Sequence, residues 1–252
     1  MSSGMRYLYG SFNKESKLAF GRPAHLPFLK FDNELQIMFR LLPFFEPFLR
    51  LPVRIQTSAN KTGAGFADMT LGARIPVVKE DAIIGMPALT FFSSVAIPTG
   101  TKFHNQRDMA IEDITSSGNF VINAGVVLEK EFAGVNYGLG YTFSAPIDYF
   151  AGGPLRPGAE HAPMCSVGYS LDDWGYLSGA MVASFQERAT VNHQPAANTD
   201  RRKVTLSAGY TLPLHSHIKI SGQLGTDVAI PYIGKNFDSE IFFRLGMRLG
   251  VF

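Results

Sequence analysis

The sequence predicts an all-β fold: a transmembrane antiparallel up-and-down β-barrel of about 12 strands with both termini periplasmic. Three observations predict it. Apolar residues recur at every second position along most of the chain. Short and long connections alternate. The last strand carries its apolar face to the chain end.

Taking the elements in order, Met5 to Phe12 is the expected first strand, because an even strand count needs one upward strand before the segment at 34 to 42. Residues 17 to 31 are the alternative source of that strand, with 1 to 16 then a plug or tail. The whole of 1–252 is read as one barrel domain, with 1–33 holding the first strand, an external loop or an N-terminal plug.

Next, Leu35, Ile37, Phe39 and Leu41 alternate with Gln36, Met38, Arg40 and Leu42. Leu49, Leu51, Val53 and Ile55 alternate with Arg50, Pro52, Arg54 and Gln56. Period 2 places such sets on opposite faces of a strand, and a tight turn around Pro43 to Pro47 joins the two. The same reading gives strands at 66 to 78, 83 to 97, 117 to 131, 133 to 145, 160 to 171, 174 to 187, 202 to 213, 215 to 229 and 239 to 252. Most exceed the usual globular strand of about 5–6 residues and approach the roughly 9–11 needed to cross a bilayer with tilt.

Short turns are expected at 43 to 47, 79 to 82, 131 to 133, 172 to 173 and 213 to 215. Long polar links are expected at 57 to 65, 98 to 116, 146 to 159, 188 to 201 and 230 to 238. Short turns at one rim and long loops at the other are the asymmetry of an outer-membrane barrel. At the C-terminus, Ile241, Phe243, Leu245, Met247, Leu249 and Val251 share one face, and Arg244, Gly246, Arg248 and Gly250 the other. A sheet in hydrocarbon must close on itself, since each unpaired backbone group costs several kcal/mol. This strand is therefore the closing stave. The terminal Phe252 resembles the signature read by the outer-membrane assembly machinery, although its parity is that of Gly250.

Composition agrees with this and removes other classes. Of 252 residues, 46% are hydrophobic and 17% charged, with net charge +2, which argues against a nucleic-acid partner. One cysteine, Cys165, permits no internal disulfide and no cysteine-rich metal site. No apolar run is long enough for a helical span. The start lacks the charged and apolar regions of a signal peptide, so the outer-membrane location implies a signal absent from this chain. Tyr169, Trp174 and Tyr210 near periplasmic strand ends, and Phe66, Phe120, Tyr141 and Phe143 near external ends, match interfacial girdles; filling a soluble β core is the alternative.

With apolar positions toward lipid, the inward set contains Arg40, Arg50, Arg54, Arg74, Arg244 and Arg248, extended by Lys203 and Lys219. The inward acids are fewer, chiefly Asp68, Glu129 and Glu240. A basic wall in a low-dielectric lumen concentrates anions. The competing expectation is that these arginines pair with those acids and fill the barrel. Pro52 and Pro87 interrupt strand patterns, and a proline in a closed sheet calls for a bulge or weakened pairing.

GFADMTLGARIPVV at 65 to 78 and PALTFFSSVAIPTG at 87 to 100 resemble paired strands of the outer-membrane channel family named for the MetA pathway of phenol degradation. The resemblance implies a barrel that admits small, often hydrophobic or aromatic compounds, with no catalytic residue and no cofactor. Asp68 matches the motif's acid and Gly100 its external turn. Expected partners are the lipid bilayer, the assembly machinery and a small-molecule substrate.

Catalytic constellations are thin. His215 and His217 share parity beside a turn, but two ligands without an acid or thiol make a poor metal site. His104, His161 and His193 are expected in external loops, and no Gly-x-Ser-x-Gly elbow occurs. A channel is the leading expectation. A barrel enzyme acting on lipid or ester, and a non-conducting or soluble binding barrel, are the alternatives.

Overall fold

A computed structural model describes the backbone of residues 2–12, 18–20, 29–57, 62–80, 85–100, 119–147, 155–191, 194–197, 199–215, 218–228 and 238–249. Side chains are described for these except 2–31, 155, 156, 173, 191, 215, 238–240, 248 and 249. The strands in chain order are β1 (Ser2–Phe12), β2 (Leu18–Phe20), β3 (Leu29–Met38), β4 (Glu46–Thr57), β5 (Thr62–Phe66), β6 (Met69–Val78), β7 (Ala88–Ile97), β8 (Phe120–Phe132) and β9 (Val135–Ile147). They continue as β10 (Leu155–Arg156), β11 (Glu160–Ser170), β12 (Tyr176–Gln186), β13 (Thr190–Val191), β14 (Gln194–Pro195), β15 (Arg201–His215), β16 (Ile218–Val228) and β17 (Asp238–Leu249).

Fourteen of these form one sheet, in which β2 only extends the β1 hairpin and β5 continues the stave of β6. Twelve staves remain: β1, β3, β4, β5 with β6, β7, β8, β9, β11, β12, β15, β16 and β17. Consecutive staves pair antiparallel, and β17 pairs with β1 from Ser2↔Gly246 to Ser11↔Asp238, with one bulge between Leu8 and Gly10. The sheet is closed, and β1 is the closing partner expected of Met5 to Phe12. The remaining short strands, β10, β13 and β14, pair with one another beyond the long-loop rim.

The packing is inside out. Among the described residues only Phe48, Ala67 and Val204 are buried hydrophobics, whereas Glu46, Gln56, Thr90, Ser94, Ser184 and Asp227 are buried polar groups. Leu139 is 62% exposed and Leu224 58%. Leu35, Ile37, Leu71, Ile75, Phe91, Met181, Leu206, Phe243 and Leu245 are likewise exposed. Register puts them on one continuous surface through pairs such as Ile75↔Phe91 and Met181↔Leu206. A soluble barrel would bury that surface, so the soluble alternative is overturned: an apolar exterior around a polar interior has its low-energy state in a bilayer.

Several boundaries differ from expectation. The strand expected at 34 to 42 is Leu29–Met38, because the turn is wider: Phe39 N–H donates to Pro47 O at 3.0 Å and Leu42 bridges Phe45. The long link expected at 57 to 65 is a short connection, since Thr62–Phe66 pairs with β4 and Thr57 Oγ1 lies 3.1 Å from Thr62 Oγ1. The strand expected from 83 begins at Ala88, after Gly85 at φ +82°. The turn between β8 and β9 is Ala133-Gly134 with φ of 51° and 78°, the two left-handed positions of a type I′ hairpin turn.

Candidate functional site: the barrel lumen

Alternation dictates what the lumen contains. With Leu49 and Val53 on the outer face of β4, Glu46, Phe48, Arg50, Pro52, Arg54 and Gln56 point inward, and register carries that face through the neighbouring strands. Arg54 stands directly opposite Asp32 and donates from Nε to Oδ1 at 2.7 Å. Arg74 stands opposite Glu46, with Nη1 to Oε2 at 3.9 Å, and Arg50 lies diagonally from Glu34 at 3.9 Å. Across the barrel, Lys203 lies 3.8 Å from Asp227, which also accepts from Thr205 Oγ1 at 2.6 Å. These are cross-strand pairs at direct and diagonal positions. Arg54–Asp32 and Arg50–Glu34 are partly exposed to lumen water and contribute at most about 1 kcal/mol each, whereas Glu46 and Asp227 are buried beneath their partly exposed cations.

The expected basic wall is thus interleaved with carboxylates, as the competing expectation of paired arginines had it, though with other acids. Its inward arginines Arg50, Arg54 and Arg74 are matched by Glu34, Asp32 and Glu46, none of which was in the expected acid set. The boundary shifts explain two of the three omissions, while Glu34 lay at the first position of the expected strand. Asp32 lay before the expected strand start and Glu46 inside the expected turn, whereas in the structure both occupy strands. Arg40 is not on a strand: it follows β3 and grips Glu46 Oε1 from Nε at 2.9 Å and from Nη2 at 2.6 Å. The period-2 signal for Asp32, Glu34 and Gln36 against Asn33, Leu35 and Ile37 is present in the sequence.

Three phenylalanines also face inward, against a simple apolar-out rule. Phe48, Phe92 and Phe242 stand directly opposite Gly72, Gly125 and Gly225, and each ring covers its glycine. A Cβ on Gly72 would lie 2.5 Å from Phe48 Cζ, so the ring needs the missing side chain. Arg50 stacks over Phe48 and Arg244 over Phe242, each at 5.1 Å from ring centroid. The repeated Phe-x-Arg at 48–50 and 242–244 is thus one device used twice.

Other expected residues divide. Glu129 on β8 and Lys219 on β16 line a cavity of about 700 Å³ at the short-turn end of the lumen. Asp68 sits in the break between β5 and β6. Arg248 and Glu240 are β17 positions, opposite Lys219 and Leu8, whose side chains lie outside the described residues. Pro52 is at a bulge: β4 pairs with β6 up to Arg50↔Thr70 and with β5 from Val53↔Phe66, one residue out of register. Its carbonyl accepts from Ala67 N–H at 2.9 Å, so the donor proline lacks would have pointed into that gap. On the β3 side Pro52 pairs regularly with Glu34. Pro87 precedes β7 and interrupts no strand; the register shift there falls between Pro76 and Val78.

His161 is not in a loop. It is the second residue of β11, on the outer face, with Nδ1 2.5 Å from Tyr141 Oη and Nε2 3.8 Å from Glu187. The side chains of His215 and His217, and all of His104, His193 and Phe252, lie outside the described residues.

No family model and no curated protein matches the chain. Among solved structures, it aligns over 99% of its length with 95% of an outer-membrane channel from Pseudomonas putida F1, at TM-score 0.72 and 12% identity. It aligns over 99% of its length with 100% of the NanC porin at TM-score 0.56 and 11% identity. In fold, the chain is a transmembrane antiparallel up-and-down β-barrel of the kind these two proteins share.

Proposed function

We propose that this chain is an outer-membrane channel for passive or substrate-selective uptake of small molecules, without enzymatic activity. One observation carries the reading: a closed, apolar-faced barrel encloses a charged and hydroxyl-lined lumen that holds a cavity of about 700 Å³. Burying ion pairs and hydroxyls inside a wall that faces lipid serves solutes and water, since hydrocarbon offers them nothing. The likeness in fold to an outer-membrane channel supports the location, the short-turn rim then being periplasmic. The resemblance of residues 65–78 and 87–100 to the phenol-degradation channel family makes aromatic compounds the first solutes to test, and the inward Phe48, Phe92 and Phe242 rings suit them. A net anion preference does not follow from Arg50, Arg54 and Arg74, because each is matched by a carboxylate.

The test is electrical. Refolded protein with heat-modifiable gel mobility, reconstituted in planar bilayers, is expected to give discrete conductance steps. A correctly folded barrel that passes neither ions nor small solutes in vesicle swelling refutes the channel.

A further inference from the structure

Within the cavity at the short-turn end of the lumen, three charges stand apart from the ion-pair pattern: Glu129 and Lys219 on opposite walls and Asp172 at the mouth. Arg40, Arg50, Arg54, Arg74, Lys130 and Lys203 each have a carboxylate within 4.0 Å. Glu129 and Lys219 both line the cavity, and neither makes an ion pair or side-chain hydrogen bond among the described residues. Register explains why. Glu129 stands opposite Ala88 and Gly138, and Lys219 opposite Pro213 and Arg248, so neither has an acid–base partner directly across the strand.

Their positions around the barrel are nearly opposed. From β8 the wall runs through β9, β11, β12 and β15 to β16, five steps of a twelve-stave ring. Both residues lie close to the short-turn rim, Glu129 before the end of β8 and Lys219 at the start of β16. Between them the cavity wall offers hydroxyls from Ser166, Tyr176, Thr211 and Ser221. Glu80, on the Glu129 side, is held by Lys130 at 3.3 Å. Asp172, in the turn at the cavity mouth, makes no ion pair among the described residues and adds a second carboxylate that attracts the ammonium end of a solute.

An unpaired carboxylate and an unpaired ammonium facing one polar cavity from opposite walls are satisfied together by a solute with both charges. We infer that this vestibule is a subsite for small zwitterions, the solute's ammonium group toward Glu129 and its carboxylate toward Lys219. The inference rests on the channel reading and names its solute class. An anion meets Lys219 but is repelled by Glu129, a cation the reverse, and a neutral solute gains only the hydroxyls.

The experiment compares γ-aminobutyrate, butyrate and butyramide, which share a four-carbon frame, as blockers of single-channel potassium chloride current. γ-Aminobutyrate is expected to block at concentrations about tenfold lower than either of the others, one charge-assisted contact being worth roughly that factor. Glu129→Gln and Lys219→Gln should each erase the difference while leaving conductance steps intact. The exchanged pair E129K/K219E should restore it, since the solute can reverse. Gel mobility confirms that each variant is folded. Equal block by the three solutes, or a preference that survives both single variants, overturns the inference and leaves the channel standing. If the barrel conducts nothing, the channel reading falls instead. The subsite is then decided by NMR-detected binding of γ-aminobutyrate to the detergent-solubilised protein, where no Glu129-dependent binding overturns it.

Discussion

Ala180 and Met181 are consecutive residues at the middle of β12 and point to opposite faces, which makes them the sharpest test of the inside-out assignment. Met181 is 43% exposed and lies between Cys165 and Leu206 on the lipid-facing surface. Ala180 lies between Ser166 and Ser207 in the lumen. Met181→Arg places a guanidinium near the bilayer midplane, at a cost of about 2–4 kcal/mol. At about 1.4 kcal/mol per tenfold, the unfolding equilibrium constant should rise by roughly 30-fold to 1,000-fold. Ala180→Arg, at the same depth, reaches lumen water and hydroxyls and should cost about 1 kcal/mol or less. Both are measured by denaturant unfolding in phospholipid vesicles, followed through Trp174, the only tryptophan, which is exposed at the short-turn rim. Equal costs, or a larger cost for Ala180→Arg, would show that the faces are reversed and would remove the basis for every lumen assignment.

Gly72→Val should destabilise the barrel by about 1–3 kcal/mol, because its Cβ would meet Phe48 Cζ at 2.5 Å and Ser93 O at 2.7 Å; the same vesicle titration reads it. In reversal-potential measurements under a salt gradient, Asp32→Asn should shift selectivity toward anions and Arg54→Gln toward cations. The double variant should return to the parent value, as a neutralised pair requires; a double variant that keeps either shift would show that the two do not offset. Trypsin added to intact cells should cut at Arg188 or Arg201, beside the long-loop rim, and leave Lys130, near the short-turn end of β8, intact. Cleavage at those arginines only after permeabilisation would invert the orientation.

Much of this architecture is local and therefore legible in sequence. Period 2 needs only neighbouring residues, so the outer faces of β4, β9, β15 and β17 were readable from runs such as Leu49, Leu51, Val53 and Ile55. Connections of unequal length gave the rims. The closing role of the last strand followed from the cost of an open edge in hydrocarbon, and β17 does pair with β1. What pattern alone misplaced were ends: β3 starts at Leu29, β4 at Glu46 and β7 at Ala88, and at the β3–β4 turn it is backbone hydrogen bonds such as Phe39 N–H to Pro47 O, rather than hydrophobicity, that stop the strands.

The charge pattern of the lumen was decided only by the tertiary structure. Sequence parity shows that Arg50, Arg54, Arg74, Glu129 and Lys219 face inward, but a residue's partner is set by the register of a different strand. Asp32 meets Arg54 and Glu46 meets Arg74 because β3, β4 and β6 align at those residues, while the residues directly opposite Glu129 are Ala88 and Gly138. The bulge opposite Pro52 moves β5 by one residue relative to β6, a shift that the proline announces but whose place in the sheet needs both neighbours. The sequence by itself thus determined a barrel, its faces and its rims, because these follow from alternation and turn length. Which charges have a partner across the sheet depends on pairing between strands distant in sequence, and only the closed sheet fixes that.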